Sequence, residues 1–164
     1  MLVFLTGFMG VGKTTYGKEL AQLLGLPFFD LDDEIEVSEK TTIADLFKKG
    51  ESYFRERERS ALLTLLKKKE GVIALGGGTI CSKHNAEHIL KNGIAVYLYQ
   101  PWNELYAAIK DLPNRPLLQQ LSAKELHQLY EYRQQFYRLS QLEYRIDSSF
   151  RAKKLAKMLR FINK

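Results

Sequence analysis

The sequence predicts an α/β domain: a five-stranded parallel sheet with helices wound on both faces. Three observations predict it. Five short apolar runs alternate with helix-like stretches along a chain of 164 residues. Those runs are continuously apolar rather than alternating, as strands covered on both faces must be. The first run also passes through a glycine loop directly into a helix, at the strand end where three-layer α/β/α sheets build their sites.

The elements follow in order. LVFLT (2–6) reads as the first strand and GKTTYGKELAQLLG (12–25) as a helix closed by Gly25. PFFD (27–30) reads as the second strand. Residues 33–69 are expected to be helical, with breaks near Thr41–Thr42 and Gly50. GVIAL (71–75) is the third strand, followed by a glycine triplet. SKHNAEHILKNG (82–93) is a helix with Ser82 at its N-cap. IAVYLY (94–99), β-branched and aromatic, is the fourth strand. Pro101 sits where helices begin and opens WNELYAAIK. Residues 111–121 read as a loop, 122–139 as a long helix and YRID (144–147) as a short fifth strand. Leu155, Met158, Leu159 and Ile162 then recur at helical spacing in a closing helix. With no internal repeat, low-complexity segment or linker, residues 1–164 are expected to form one domain.

Composition narrows the function. At 45% hydrophobic and 27% charged, the chain has the make-up of an ordinary soluble protein. No apolar run approaches the ~20 residues of a membrane span. No secretory leader fits, because residues 2–5 lead straight into the glycine loop. A single cysteine, Cys81, excludes an internal disulfide and fits a reducing cytoplasm. The net charge of +6 points to nucleic acid only at first sight. Six of the 25 basic residues and none of the 19 acidic ones lie in the last fourteen, so residues 1–150 are neutral overall. The basic tail is read as the solvated face of the closing helix, and neither a nucleic-acid nor a membrane partner is expected.

The sharpest motif is GFMGVGKT (7–14), which matches G-x-x-x-x-G-K-[ST]. A strand precedes it and a helix follows it, as phosphate binding requires. Gly7, Gly10 and Gly12 let the backbone curl around an anion, and the helix N-terminus adds a favourable dipole. Lys13 is expected to reach the β- and γ-phosphates of a nucleotide, and the Thr14 hydroxyl to coordinate Mg²⁺. Neither the N-K-x-D nor the D-x-x-G motif of GTPase switches occurs, and motor ATPases need more chain. A small-molecule kinase is the natural candidate.

The rest of the site is read from acids, glycines and arginines. FFDLDDEIE (28–36) packs acids beside the phosphate loop. Asp30 ends the second strand, and Asp30 and Asp32 alternate about Leu31, so both are expected to face one crevice. One carboxylate would order the waters of Mg²⁺; the other would accept a proton from an attacking hydroxyl or hold its neighbours. Asp33 and Glu34 are read as favourable charge at a helix start. Gly76, Gly77 and Gly78 would let a ligand approach the backbone. In YFRERERSALL (53–63), Tyr53 and Phe54 would anchor the helix and turn Arg55 inward. Arg57 and Arg59, interleaved with Glu56 and Glu58, are assigned to a solvated face. Arg115, on a loop beside Pro116, is suited to closing over the transferred phosphate. Arg133 shares a helix face with Tyr137. With Arg55 it makes a pair suited to gripping a carboxylate.

Together the phosphate loop, FFDLD, FRERE, GGG, RPLL and the later arginine of LYEYRQQFYR resemble the shikimate kinase family over nearly the whole chain. The resemblance implies a nucleoside-monophosphate-kinase-like P-loop fold with a short lid. It implies phosphorylation of the 3-hydroxyl of shikimate with ATP and Mg²⁺, a step toward chorismate and the aromatic amino acids. Carried over by motif, Gly10, Val11, Gly12, Lys13, Thr14 and Thr15 would cradle ATP. Thr14 would hold the metal and Asp30 would assist it from behind. Asp32 would bind the shikimate hydroxyls and assist deprotonation, Arg55 and Arg133 would bind the carboxylate, and Gly77 would bind a hydroxyl through its backbone. Arg115 would contact the phosphates from a lid at about 111–122, completing a catalytic set with Lys13 and Asp32. Residues from about 31 to 60 would form the substrate-binding segment. The chain departs from the family near the adenine, where Phe150, followed by Arg151, stands at about the place of a basic residue; Lys110 would stack on the base. His84, His88 and His127 match nothing catalytic. A cytoplasmic monomer is expected. Gluconate kinase or nucleoside-monophosphate kinase is the nearest alternative, and a catalytically silent nucleotide-binding regulator is the alternative from another class.

Overall fold

The computed structural model describes residues 1–112, 116–147 and 152–162. Its five strands are β1 (Leu2–Thr6), β2 (Phe28–Asp30), β3 (Gly71–Ala74), β4 (Ile94–Tyr99) and β5 (Leu142–Arg145). All pair in parallel, in the order β2-β3-β1-β4-β5. Between them run α1 (Lys13–Leu24), α2 (Leu31–Glu39), α3 (Ile43–Lys48) and α4 (Glu51–Leu65) before β3. A 3-10 turn (Thr79–Cys81) and α5 (Lys83–Asn92) follow it. After β4 come α6 (Trp102–Ile109), α7 (Pro116–Gln120) and α8 (Ala123–Tyr137), and α9 (Ala152–Ile162) closes the described chain. No helix among the described residues is long and apolar enough to cross a membrane.

β1 and β3 are buried along their whole length, so the centre of the sheet is covered on both faces. This is why their sequences are unbroken apolar runs. Registers Leu5↔Ala74 and Asp30↔Ala74 align the carboxyl ends of β1, β2 and β3 on one edge. The strand order changes direction around β1, the place where open α/β sheets form a crevice. The phosphate loop leaves β1 there and the glycine triplet leaves β3 there.

Most element assignments hold, with three corrections. β5 lies at 142–145 rather than 144–147, and its residues alternate in burial as an edge strand's do. Gln141 secures this register by accepting the Ala95 N–H at 2.7 Å. The segment 111–121, expected to be a loop, contains the short helix α7. α2 starts at Leu31, two residues earlier than expected, because the Asp30 side chain caps it by accepting the Asp32 N–H. The basic tail does form an amphipathic helix. Leu155, Ala156 and Leu159 are buried, while Lys153, Lys154 and Lys157 are exposed. Arg160 reaches back to the Leu23 carbonyl at 2.5 Å, capping the C-terminal end of α1.

Close approach of α1 to the sheet depends on Gly17, which is buried in mid-helix. Helix propensity alone favours alanine there by about 1 kcal/mol. A methyl group, however, would meet the Phe28 ring at 2.5 Å and Leu5 at 3.1 Å. Overpacking costs about 1–3 kcal/mol, so Gly17→Ala is expected to destabilise the fold by about 1 kcal/mol net. Urea unfolding checks this; a raised midpoint would mean that the Phe28 ring yields freely.

Candidate active site

The phosphate loop curls through two left-handed glycines, Gly10 (φ 78°) and Gly12 (φ 94°), and Gly12 is the N-cap of α1. Val11 is buried beneath it. Lys13 is buried, and its Nζ donates to the carbonyls of Gly7 at 2.9 Å and Phe8 at 3.0 Å. Thr14 and Thr15 are exposed on the first turn of α1. That turn contains no acid, so the positive helix end is left for an anion.

Asp30 joins this loop to the acidic segment. One of its carboxylate oxygens accepts the Thr14 hydroxyl at 2.6 Å and the other accepts the Asp32 N–H at 3.1 Å. Asp30 and Asp32 therefore do not alternate along a strand as expected. Asp30 caps α2 and Asp32 lies in its first turn, yet Asp32 still lines the cavity. Burial, then the neighbouring Asp30 and Glu36, hold the Asp33 carboxyl above its usual range, with Lys18 opposing. Thr14 and Asp30 form a pair of hard oxygen groups beside an anion-binding turn. No cluster of three metal-ligating side chains occurs among the described residues. That donor set fits Mg²⁺, which takes one or two protein oxygens and completes its shell with water and phosphate.

On the other side of the glycine triplet, two arginines converge. Stacking of Phe47 on Phe54 (4.3 Å) fixes the start of α4, and Arg55 extends from it into the cavity. Arg55 Nη1 donates to Glu58 at 2.9 Å, while Nε and Nη2 donate to Glu51 at 3.4 and 3.3 Å. Burial would lower the guanidinium pKa, but Glu58 and Glu51 more than offset it and the net shift is upward. Arg133 on α8 is buried, with its guanidinium over the Phe8 ring. One turn on, the Tyr137 hydroxyl donates to the Gly77 carbonyl at 2.5 Å. Burial drives the Tyr137 pKa far upward, with Arg133 opposing, so the phenol remains a donor. A methyl group on Gly78 would lie 2.9 Å from Arg55 Nη2 and 3.2 Å from Arg133 Nη2. Only a bare glycine lets the two guanidiniums close on this turn. Asp32, Arg55, Glu58, Arg133 and the triplet line a cavity of about 540 Å³, with Gln119 and Gln120 of α7 across it.

The structure thus brings Asp32, Arg55, Gly77 and Arg133 to one cavity, beside the loop residues Gly10 to Thr15. Arg115, Phe150 and Arg151 lie outside the described residues. Glu58, which lies between the two arginines assigned to a solvated face, is itself buried. Its side chain is 2% exposed, with one oxygen accepting from Arg55 and the other from the Thr79 hydroxyl at 2.7 Å. Asn85 holds Thr79 in turn, donating to its carbonyl at 3.1 Å. The missed signal was helical spacing: Phe54, Glu58, Leu62 and Leu65 form one buried stripe. Arg57, one of those two arginines, is half-buried over the Tyr53 ring and 3.8 Å from Glu39. The histidines stay out of the cavity lining: His84 and His88 meet each other edge to face, and His127 stacks on Trp102.

Comparison with known proteins identifies the family. Residues 9–163 match the family model described as shikimate kinase. A shikimate kinase of Persephonella marina is 40% identical over 136 residues, covering 82% of each chain. One from Acinetobacter baumannii strain AYE is 44% identical over 139 residues, covering 83% of this chain and 77% of that one. The solved structure of a shikimate kinase from Acinetobacter baumannii in complex with shikimate superposes with a TM-score of 0.87. It is 38% identical, with 99% of this chain and 92% of that one covered. A gluconokinase from Sinorhizobium meliloti 1021 superposes at 0.59 with 14% identity, covering 98% and 94%, a likeness of fold alone.

The Glu58–Thr79 contact yields a stability prediction. Thr79→Val keeps the size of a fully buried side chain and removes the donor to a buried carboxylate. The expected cost is about 1–3 kcal/mol. Thr79→Ser, which restores the hydroxyl, should recover most of it in thermal or urea unfolding.

Proposed function

The chain belongs to the shikimate kinase family, and we propose that it transfers the γ-phosphoryl group of ATP to the 3-hydroxyl of shikimate, giving shikimate 3-phosphate and ADP. The observation that carries this reading is the convergence of Arg55 and Arg133 over Gly78, in a cavity that also contains Asp32 and borders the phosphate loop. A carboxylate bridging the two guanidiniums would anchor one end of a small hydroxy acid. Asp32, on the same cavity, would then meet its hydroxyls.

Roles follow from position. Gly10, Val11, Gly12 and Thr15 shape the turn that cradles ATP, and Lys13 neutralises charge on its terminal phosphates. Thr14, backed by Asp30, would hold Mg²⁺, which would supply positive charge beside the transferring phosphoryl group. The bond from γ-phosphorus to the bridging oxygen breaks, a bond to the shikimate oxygen forms, and the hydroxyl proton departs. Asp32 orients that hydroxyl and receives its proton. Because phosphoryl transfer passes through a loose transition state, orientation matters more than base strength. Gly77, fixed by Tyr137, would offer its backbone to a second hydroxyl. Arg115 would close over the phosphates from the lid. Residues 1–164 would act as one domain and as a monomer, since each proposed site is complete within one chain, and the single cysteine, Cys81, fits a reducing cytoplasm. A gluconate kinase remains the second reading, because gluconate also joins a carboxylate to hydroxyls.

ADP release from ATP and Mg²⁺ is expected with shikimate and not with gluconate or AMP; turnover of gluconate alone would overturn the substrate assignment. Asp32→Asn is expected to cut turnover by about 10²–10⁴ while changing the KM for ATP little. Arg133→Ala is expected to raise the KM for shikimate about tenfold or more, in line with the loss of a charge-assisted hydrogen bond. Steady-state kinetics in each substrate separates these effects.

A further inference from the structure

We propose that Glu51 occupies the substrate-facing edge of Arg55 in the free enzyme and is displaced by the carboxylate of the incoming substrate. Glu51 thereby sets the affinity for acidic substrates. The inference deepens the reading above and rests on it.

The guanidinium of Arg55 is shared between two carboxylates of unequal standing. Glu58 takes Nη1 at 2.9 Å; its side chain is 2% exposed and its second oxygen is held by Thr79. Moving Glu58 would strand a buried charge, so it is a permanent partner. Glu51 takes Nε and Nη2 with a single oxygen at 3.4 and 3.3 Å, and its side chain is 70% exposed. An exposed pair one helical turn apart is weakly held.

The edge that Glu51 takes is the one a substrate needs. Both Nη atoms of Arg55 (2.9 and 3.0 Å) and Arg133 Nη2 (3.2 Å) border the point where a Gly78 side chain would begin; Glu58 holds Nη1, so Nη2 is the atom open to exchange. Glu51 lines that cavity as well. An entering carboxylate offers what Glu51 does not: one oxygen for each guanidinium. The exchange also conserves charge, because Arg55 trades one carboxylate for another while Glu58 stays in place. Glu51 is the first residue of α4, so after displacement its charge still favours the positive helix end.

The test is steady-state kinetics of the full chain, comparing the parent with Glu51→Gln and Glu51→Asp. Glutamine removes the charge. Aspartate keeps the charge at the helix start but is one methylene too short for the contact. Both are expected to lower the KM for shikimate about two- to fivefold, the range set by an exposed ion pair. The KM for ATP, and that for the uncharged amide of shikimate, should match the parent's. An unchanged or raised shikimate KM in either variant overturns the proposal, as does an equal fall with the amide. A parent that turns over no shikimate overturns the substrate reading first, and this proposal with it.

Discussion

Burial of the Glu58 carboxylate is the constraint on which the substrate side of the site depends. An ionised carboxylate taken out of water costs several kcal/mol unless its oxygens are matched. Here each oxygen has one partner, Arg55 on one side and Thr79 on the other. The carboxylate thus bridges α4 and the turn after β3, and sets where the Arg55 guanidinium lies relative to the glycine triplet. On its own, a buried ion pair of this kind is weak evidence of stability. Its value here is positional, since it fixes a flexible cation beside an open cavity.

The nucleotide side is organised by the same device in lighter form. Asp30 bonds the first turn of α1 through Thr14 and the first turn of α2 through the Asp32 N–H. One side chain therefore registers the Thr14 hydroxyl, proposed to hold the metal, against the acid proposed to meet the substrate. Tyr137 makes the third such link, from α8 to Gly77. Three polar contacts, each between different elements, bring the phosphate loop, the acid and the two arginines to one carboxyl edge of the sheet. The sheet supplies the edge; these contacts set distances of hydrogen-bond precision, which apolar packing alone does not.

Much of this was legible in the sequence. The strand, glycine loop and helix are local in the chain, and their spacing carries their chemistry. Arg55 and Arg133 were legible because aromatic neighbours and helical spacing show which way they turn. Glu58 was not, since its place in the charged run 55–59 hid its position on an apolar stripe. Thr79 was missed because its partner is 21 residues away, a separation that no local pattern records. The fifth strand was misplaced by two residues because an edge strand lacks a continuous apolar run. Asp30 and Asp32 of FFDLDDEIE do reach the phosphate loop and the cavity, but through a different geometry, as an N-cap looks like a strand end until its hydrogen bond is seen.

The return of α9 to α1 has a consequence for synthesis of the protein. α1, which begins with the phosphate-loop lysine, rests on α9, which the ribosome makes after all five strands, and Arg160 caps its far end across 137 residues. Until that helix emerges, one face of α1 and the carbonyls at its end stay open to water. The nascent chain therefore carries a complete phosphate motif long before it has the packing that steadies it. A chain that has not yet added α9 exposes the same apolar face to chaperones and proteases.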